Sequence, residues 1–479
     1  MLVKQSQDTF IRKFGDLGYI TNQLTKKDRV YDESGSIFLT SLTRTAKSVD
    51  DITNEIFSQF ADVSLDQIKP DIIDFLVELH NDGFIVAGNS IEEIEKQDTG
   101  FTYSVDNPKT IAMRILDQDF DSSMKPSDEL MTDYFRKHPT IFGAHFEVTS
   151  HCNEKCIHCY QPRQNPQHIE MGLVKDIIAQ LYDMGTVSMT FSGGEPFLHP
   201  EFLDILQLAR KNDFMINILS NGTLIDTEVI RVMKETNINM IQISVYSMEA
   251  KIHDSITQTS GSLKKTLKNV DLLIENNIPV QISCPIMMRN WDSYRDVARW
   301  CYSRNVRIMS DFVLMAKSDF DISNLENRLD LSKTKKVIQD IIEIDGEYQL
   351  LLNTEPKTKD LDHYANQPVC GVAIDNVCFT ADGSMYPCSG FQGYLLGNIK
   401  QNSIHKIWEN SERVLFLRSI LNKSFPRCLS CEARDYCIMC LVRNYNESNG
   451  DMFKIADHFC DVAFLNKDIV EAFHAHKNE

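Results

Sequence analysis

The chain has 479 residues, 42% of them hydrophobic, with 13 cysteines and a net charge of −19. That length predicts two to four domains, and the charge disfavours nucleic acid and anionic membranes, whose phosphates attract Lys and Arg. No run is apolar enough to span a membrane, and MLVKQSQDTFIRK is no signal peptide, so 13 cysteines predict a cytoplasmic protein that ligates metal, not disulfides.

Residues 1–90 read as a small separate domain. Gly18–Leu24, Arg29–Asp32 and Gly35–Leu39 have strand character, with Asp32–Gly35 as a hairpin turn. Val49–Phe60 and Leu65–Asn81 carry helical apolar spacing, with Ile52, Ile56 and Phe60 in the first and Ile68, Ile72, Leu76 and Leu79 in the second. Gly83 ends the second helix and Phe84–Val86 returns as a strand. The sum is a winged-helix-like α+β module. Asp66, Asp71, Asp74 and Glu78 on its last helix argue against DNA. Residues 91–140, broken by Pro108, Pro126 and Pro139, read as an acidic linker with one or two short helices, for example near Ile111–Leu116.

Residues 141–330 alternate strand and helix. Strands are expected at Phe146–Thr149, Ser188–Ser192, Met215–Ser220, Met240–Tyr246, Pro279–Met287 and Arg307–Met315. Helices are expected at Gly172–Met184, Glu201–Asn212, Asp226–Thr236, Gly261–Asn277 and Asp292–Arg304. Six such units imply a parallel sheet with right-handed crossovers. Cys284 and Cys301 fall inside apolar patterns and read as core thiols.

Directly after the first strand comes HCNEKCIHCY, with Cys152, Cys156 and Cys159 at C-x3-C-x2-C spacing. Three thiolates on one loop can hold three corners of an iron–sulfur cubane and leave one iron open. Zinc, with His151 or His158 as fourth ligand, is the alternative. The second strand ends in Ser192–Pro196, SGGEP, where glycines permit close backbone approach and a carboxylate suits an ammonium.

These two motifs, in this order and each at a strand end, resemble the radical SAM enzymes. The resemblance implies a [4Fe–4S] cluster on Cys152, Cys156 and Cys159, its open iron chelated by S-adenosylmethionine (SAM). It places His158 near the adenine and Gly193, Gly194, Glu195 and Pro196 at the SAM amino group. Ser220, Asn221 and Ser244 become ribose and carboxylate contacts, and Asn290 falls on the adenine side. Tyr246 departs from the family, where Asp is common. The implied fold is a partial (β/α)6 TIM-like barrel with its chemistry at the strands' C-terminal ends. The implied chemistry is an electron delivered to SAM, releasing a 5′-deoxyadenosyl radical.

Residues 331–365 read as a bridge, with a helix at Leu331–Ile344, before a cysteine-rich region at 366–479. There Cys370-x12-Gly383-x4-Cys388, Cys428-x2-Cys431-x5-Cys437-x2-Cys440 and Cys460 resemble the SPASM domain, departing in the last short gap. A zinc ribbon on Cys428, Cys431, Cys437 and Cys440 is the alternative, but the central gap is far shorter than a ribbon's ~15–20 residues. The SPASM resemblance implies two auxiliary [4Fe–4S] clusters, so three in the chain. Cys370, Cys388 and Cys440 would hold the first, and Cys428, Cys431, Cys437 and Cys460 the second. Cys378 either completes the first or points into the core and leaves one iron open.

The N-terminal module, opening GYITNQLTKKDRVYDESGSIFL and closing LHNDGFI, is similar to the PqqD-like leader-peptide recognition element. That implies a ribosomally made precursor peptide whose leader adds as a strand to a sheet edge, and an electron donor such as flavodoxin or ferredoxin. Taken together, the resemblances point to a maturase that installs thioether crosslinks of the sactipeptide or ranthipeptide kind. Carbon–carbon cyclisation, epimerisation, a formylglycine-type sulfatase maturase and a non-catalytic peptide-binding scaffold are the alternatives.

Overall fold

The computed structural model describes residues 1–61, 63–98, 127–161, 167–344, 352 and 360–477. The N-terminal module has two small sheets. Strands β2 (Thr9–Phe14), β3 (Leu17–Asn22) and β4 (Asp28–Tyr31) form an antiparallel meander, while β1 (Leu2–Gln5) pairs with β5 (Lys47–Ser48) and β6 (Ile85–Gly88). Helices Glu33–Thr40, Val49–Phe57 and Leu65–Asn81 close a core of Ile20, Leu39, Ile52, Ile56, Ile72, Leu79 and Phe84.

One expectation is overturned here. Gly35–Leu39 is helical, not a strand, and Asp32–Gly35 is no hairpin turn. Asp32 is instead the N-cap, accepting a hydrogen bond from Gly35 N at 3.1 Å, with Glu33 in the first turn. Asp and Ser favour caps and turns for the same reason, a short side chain that binds nearby backbone N–H groups. The apolar run Ile37–Leu39 is too short for its period to decide between helix and strand.

The module is docked by a buried apolar cluster, in which Phe10, Phe14 and Tyr19 meet Phe135, Val187 and Ile374, and by polar contacts around it. Arg12 Nε donates to Thr186 O at 3.0 Å, Gln23 Nε2 to Asn237 O at 2.9 Å, and Lys26 Nζ to Asn239 Oδ1 at 2.7 Å. Asp213 receives both Arg12 Nη1, at 3.2 Å, and Arg44 Nε, at 2.6 Å. These barrel residues lie just before the second, third and fourth barrel strands. The module therefore sits beneath the barrel, at the ends opposite those that carry the motifs.

The barrel strands are β7 (Gly143–Thr149), β8 (Ser188–Gly193), β9 (Met215–Ser220), β10 (Met240–Ser244), β11 (Val280–Ser283) and β12 (Arg307–Met309), all parallel and in sequential order. Helices Met171–Asp183, Phe202–Lys211, Thr227–Thr236, Ser262–Glu275 and Tyr294–Ser303 follow them, and the helix Ala250–Thr257 is an addition the periodicity missed. The last two strands are shorter than expected. Ile286, Met287, Phe312 and Leu314 stay buried beyond the ladders, so the apolar runs track burial and not pairing.

Alternation decides the barrel's character. Phe146, Met189, Phe191, Ile216, Ile218, Ile241, Ile243 and Ile282 belong to the core that the helices cover. The other row is polar: His145, Thr190, Asn217, Gln242, Ser244 and Ser283 are each partly accessible. The inner face is mostly polar, with Leu219 as an apolar exception.

The cysteine-rich region continues the same sheet. β13 (Asn376–Phe379) pairs in parallel with β7, and β14 (Ser384–Tyr386) and β15 (Gly397–Asn398) extend it to nine strands. Gly383, at φ +85°, makes the turn between β13 and β14. Helices Ile91–Gln97 and Ser127–Lys137 lie within the expected linker, and the expected helix near Ile111–Leu116 lies outside the described residues. Among the described residues, no helix is long and apolar enough to cross a membrane.

Asp213→Asn keeps the side chain's size but removes the charge shared by Arg12 and Arg44. It should destabilise docking by about 1–3 kcal/mol, the worth of hydrogen bonds to a charged group. Limited proteolysis should then cut the N-terminal module sooner than in the parent. An unchanged cleavage rate would refute this account of docking.

Candidate functional site

The ladder between β7 and β8 shifts register between Glu147 and Thr149, and the chain leaves β7 as the loop carrying Cys152, Cys156 and Cys159. The end of β8 runs against that loop at backbone distance. Gly193 adopts φ +137°, and a Cβ there would lie 2.1 Å from the Thr149 carbonyl oxygen. At Gly194 a Cβ would lie 2.1 Å from the His151 carbonyl oxygen. Gly194 N donates to Thr149 O at 2.8 Å and Glu195 N to His151 O at 2.7 Å. No residue with a side chain fits either position.

Glu195 is fully buried. Its carboxylate accepts from Ser220 Oγ at 2.9 Å, Asn221 N at 2.8 Å and Phe197 N at 3.2 Å. Burial still pushes it up to about 7. Ser220 and Asn221, expected at ribose and carboxylate, thus hold Glu195 in place, and Asn221 Nδ2 also reaches Asn153 Oδ1 in the cluster loop at 2.8 Å. Pro196 is buried and opens the short turn after the motif.

Burial pushes the Cys152 thiol up to about 11 and the Cys156 thiol well above its usual value, and Cys159 adds to both shifts. Left alone they stay protonated. A bound cationic group displaces those protons, which is how thiol sites couple to metal. Among the described residues, no three His, Cys, Asp or Glu side chains converge on one metal-ion position. A cubane does not require that, since each cysteine meets its own iron. The clustered thiols fit such a group.

His158 is partly buried, and burial lowers it to about 4, so its ring is neutral. It meets the Tyr246 ring edge-on, centroids 5.0 Å apart, and Tyr246 Oη lies 4.0 Å from Cys156 Sγ. Tyr246 therefore packs against the cluster loop where the family pattern has Asp. Ser244 faces the inner side and hydrogen-bonds Tyr246. Asn290 is committed elsewhere: Nδ2 donates to Tyr246 O and Pro285 O, and Oδ1 accepts from Met287 N. It braces a loop.

The C-terminal cysteines gather in two groups. Cys370, raised by burial to about 11, and Cys388, raised to about 12, both feel Cys440. Cys428 and Cys460 are raised by burial and both feel Cys431, while Cys437 shares the neighbourhood of Tyr364 with Cys428. Cys378 is wholly buried, its thiol donating to Phe379 O at 3.8 Å. Cys284 and Cys301 are buried in the barrel core.

Two carboxylates escaped the sequence reading. Glu154, between Cys152 and Cys156, is 6% exposed, bonds Ser262 and accepts from Cys156 Sγ at 3.7 Å. Glu147, also 6% exposed, accepts from Gln161 Nε2 at 2.7 Å and Gln392 Nε2 at 2.8 Å. The available signal for Glu147 was a lone acid in an apolar strand, Phe146–Thr149.

Residues 146–301 match the model of the radical SAM superfamily, and residues 370–432 match that of an iron–sulfur cluster-binding domain. The barrel is a radical SAM domain. The chain thus carries a radical SAM domain followed by a cysteine-rich iron–sulfur cluster-binding domain. The chain is 25% identical over 325 residues to AlbA, the antilisterial bacteriocin subtilosin biosynthesis protein of Bacillus subtilis, covering 65% of this chain and 69% of AlbA. It is 22% identical to the AdoMet-dependent heme synthase of Methanosarcina barkeri, over 63% of this chain and 91% of that one. Its fold is similar to that of Streptococcus suis SuiB bound to SAM, with a TM-score of 0.62 and 15% identity over 95% of this chain and 99% of SuiB.

Gly194→Ala should force the β8 end away from the cluster loop. We expect SAM affinity of the reconstituted protein, by equilibrium dialysis, to fall about fivefold to 150-fold, from an overpacking cost of about 1–3 kcal/mol. Gly172→Ala, where nothing lies within 4 Å, should bind normally. Equal affinity in both variants would contradict the close approach.

Proposed function

We propose that this enzyme matures a ribosomally made, cysteine-containing precursor peptide by forming thioether crosslinks between cysteine sulfur and carbon. One observation carries the reading. The likeness to SuiB, solved with its precursor peptide SuiA at a TM-score of 0.60, spans 95% of this chain, so the N-terminal module, barrel and cysteine-rich region recur together. The AlbA likeness supports the same substrate class. A SAM-dependent modification of a porphyrin-like cofactor is the second reading, favoured by the heme synthase likeness, which spans only 63% of this chain.

The bound cluster and SAM would supply a carbon radical that removes hydrogen from an unactivated carbon. This chain's own part is to hold the peptide on the mostly polar inner face, near the ends of β7 and β8, and to exclude competing hydrogen donors. In this reading Cys152, Cys156 and Cys159 bind the SAM-chelating cluster, with Gly193, Gly194, Glu195 and Pro196 at SAM. Cys370, Cys388 and Cys440 hold one auxiliary cluster, and Cys428, Cys431, Cys437 and Cys460 the other. Cys378 stays outside the first set, because its thiol is turned to the Phe379 carbonyl. An open iron there suits a thiol substrate.

The leader binds, in this reading, along β4, whose one ladder neighbour among the described strands is β3. Beside β4 runs Leu65–Asn81, tied to it by Arg29–Asp82 at 3.1 Å and by the Tyr31–Phe75 ring pair. That helix exposes Ile73 and Val77 among Asp66, Asp71, Asp74 and Glu78. Such a face suits an apolar leader with basic residues.

The test is the mass of a cysteine-rich precursor encoded beside this enzyme, after anaerobic co-expression. Loss of a hydrogen pair per crosslink, with cysteine thiols becoming unreactive to alkylation, is expected. The same loss with all thiols still reactive would replace thioether formation by carbon–carbon cyclisation. An unchanged peptide beside a consumed porphyrin would favour the second reading.

A further inference from the structure

Glu147 belongs to β7 on the barrel's inner face, next to partly accessible His145 and, across the ladder, Thr190 and Ser192. Its carboxylate is held by one oxygen. Gln161 Nε2 and Gln392 Nε2 both donate to Oε1, at 2.7 and 2.8 Å, and Oε2 accepts no hydrogen bond from the described residues. Gln161 stands two residues after Cys159, and Gln392 four after Cys388. The acid is thus clamped between the segment of the SAM-cluster cysteines and the segment of the first auxiliary set.

No cation faces it. The titratable groups packed around it are the Tyr160 and Tyr386 hydroxyls, the Cys378 thiol and, on its own strand, His145. Burial holds the two hydroxyls and the thiol protonated and lowers His145 to about 4, leaving all four neutral near neutral pH. Burial also pushes Glu147 up to about 7. A buried carboxylate without a cation is costly, and a glutamine would satisfy the same two amides no worse. Packing alone gives no reason for an acid here.

The proposed reaction supplies one. Joining a peptide carbon to sulfur, or to a second carbon, breaks one bond to hydrogen at each partner and forms one new bond. One hydrogen leaves as an atom, taken by the SAM-derived radical. The other leaves as an electron, passed to a one-electron acceptor such as an auxiliary iron–sulfur cluster, and a proton. That proton needs a base between the two sites.

We infer that Glu147 accepts the proton released by the precursor peptide as its new bond forms. The inference rests on the peptide-crosslinking reading but is indifferent to whether sulfur or carbon is joined. Gln161 and Gln392 position the acid through Oε1, and Oε2 takes the proton.

The experiment compares reconstituted wild-type enzyme, Glu147→Gln and Glu147→Asp with matched iron contents. It reads crosslinked peptide per 5′-deoxyadenosine formed, which cancels the effect of pH on SAM cleavage. The acceptor works when ionised, so the wild-type ratio should rise as pH passes through about 7. Glu147→Gln should lower the ratio about 100-fold and flatten its pH dependence, the usual worth of a positioned base. Glu147→Asp should restore part of both. Without peptide, infrared pH-difference spectra should show carboxylic-acid carbonyl absorption lost near neutral pH, and the wild-type-minus-Glu147→Gln difference should isolate the Glu147 share from that of Glu195. A wild-type ratio in Glu147→Gln, or carbonyl absorption of undiminished intensity in that variant, would overturn the inference. A peptide left unchanged by the wild type would instead sink the crosslinking reading, and the infrared difference would still decide whether Glu147 carries the proton.

Discussion

The site depends on a backbone contact that only two glycines permit. Gly193 and Gly194 bring the end of β8 against Thr149 and His151, and two main-chain hydrogen bonds lock the strand to the cysteine loop. Glu195 is then fixed from the far side by Ser220 and Asn221 at the end of β9. Three consecutive strand ends are therefore one rigid unit. A carboxylate held this way, buried and raised to about 7, is poised to gain when an ammonium arrives.

That unit stands on a sheet whose two faces do different work. The outer row is apolar and packs under the helices, giving the rigidity a positioned site requires. The inner row is mostly polar and accessible, and it ends beside the clamp on Glu147. Because β13 pairs directly with β7, the cysteine-rich region is not a tethered appendage. Its Gln392 reaches into the barrel to share Glu147 with Gln161. The N-terminal module approaches from the opposite end, through Arg12, Arg44 and Asp213.

Much of this was legible in the order of residues. Cysteine spacing and SGGEP are local patterns, and the six strand–helix repeats follow from periodicity, so the barrel and both cysteine groups could be anticipated. The failures are physical. At Asp32 the same side chain signals a cap or a turn, and the short run after it has no readable period. The pairing of β1 with β6 and of β13 with β7 joins residues far apart in the chain, which no local pattern encodes. Asn290 reads as a ligand-type residue until its three hydrogen bonds to Tyr246, Pro285 and Met287 are seen. Glu147 shows the reverse: one acid in an apolar strand, meaningful only when two glutamines from distant segments close on it.

The most direct test of the account is 5′-deoxyadenosine formation by the anaerobically reconstituted chain, compared with a variant in which Cys152, Cys156 and Cys159 are all Ala. The account predicts about 12 irons per wild-type chain, about 8 in the variant from its two remaining cubanes, and 5′-deoxyadenosine from the wild type alone. A variant that still cleaves SAM, or a wild type with about 4 irons and zinc in the cysteine-rich region, would contradict it.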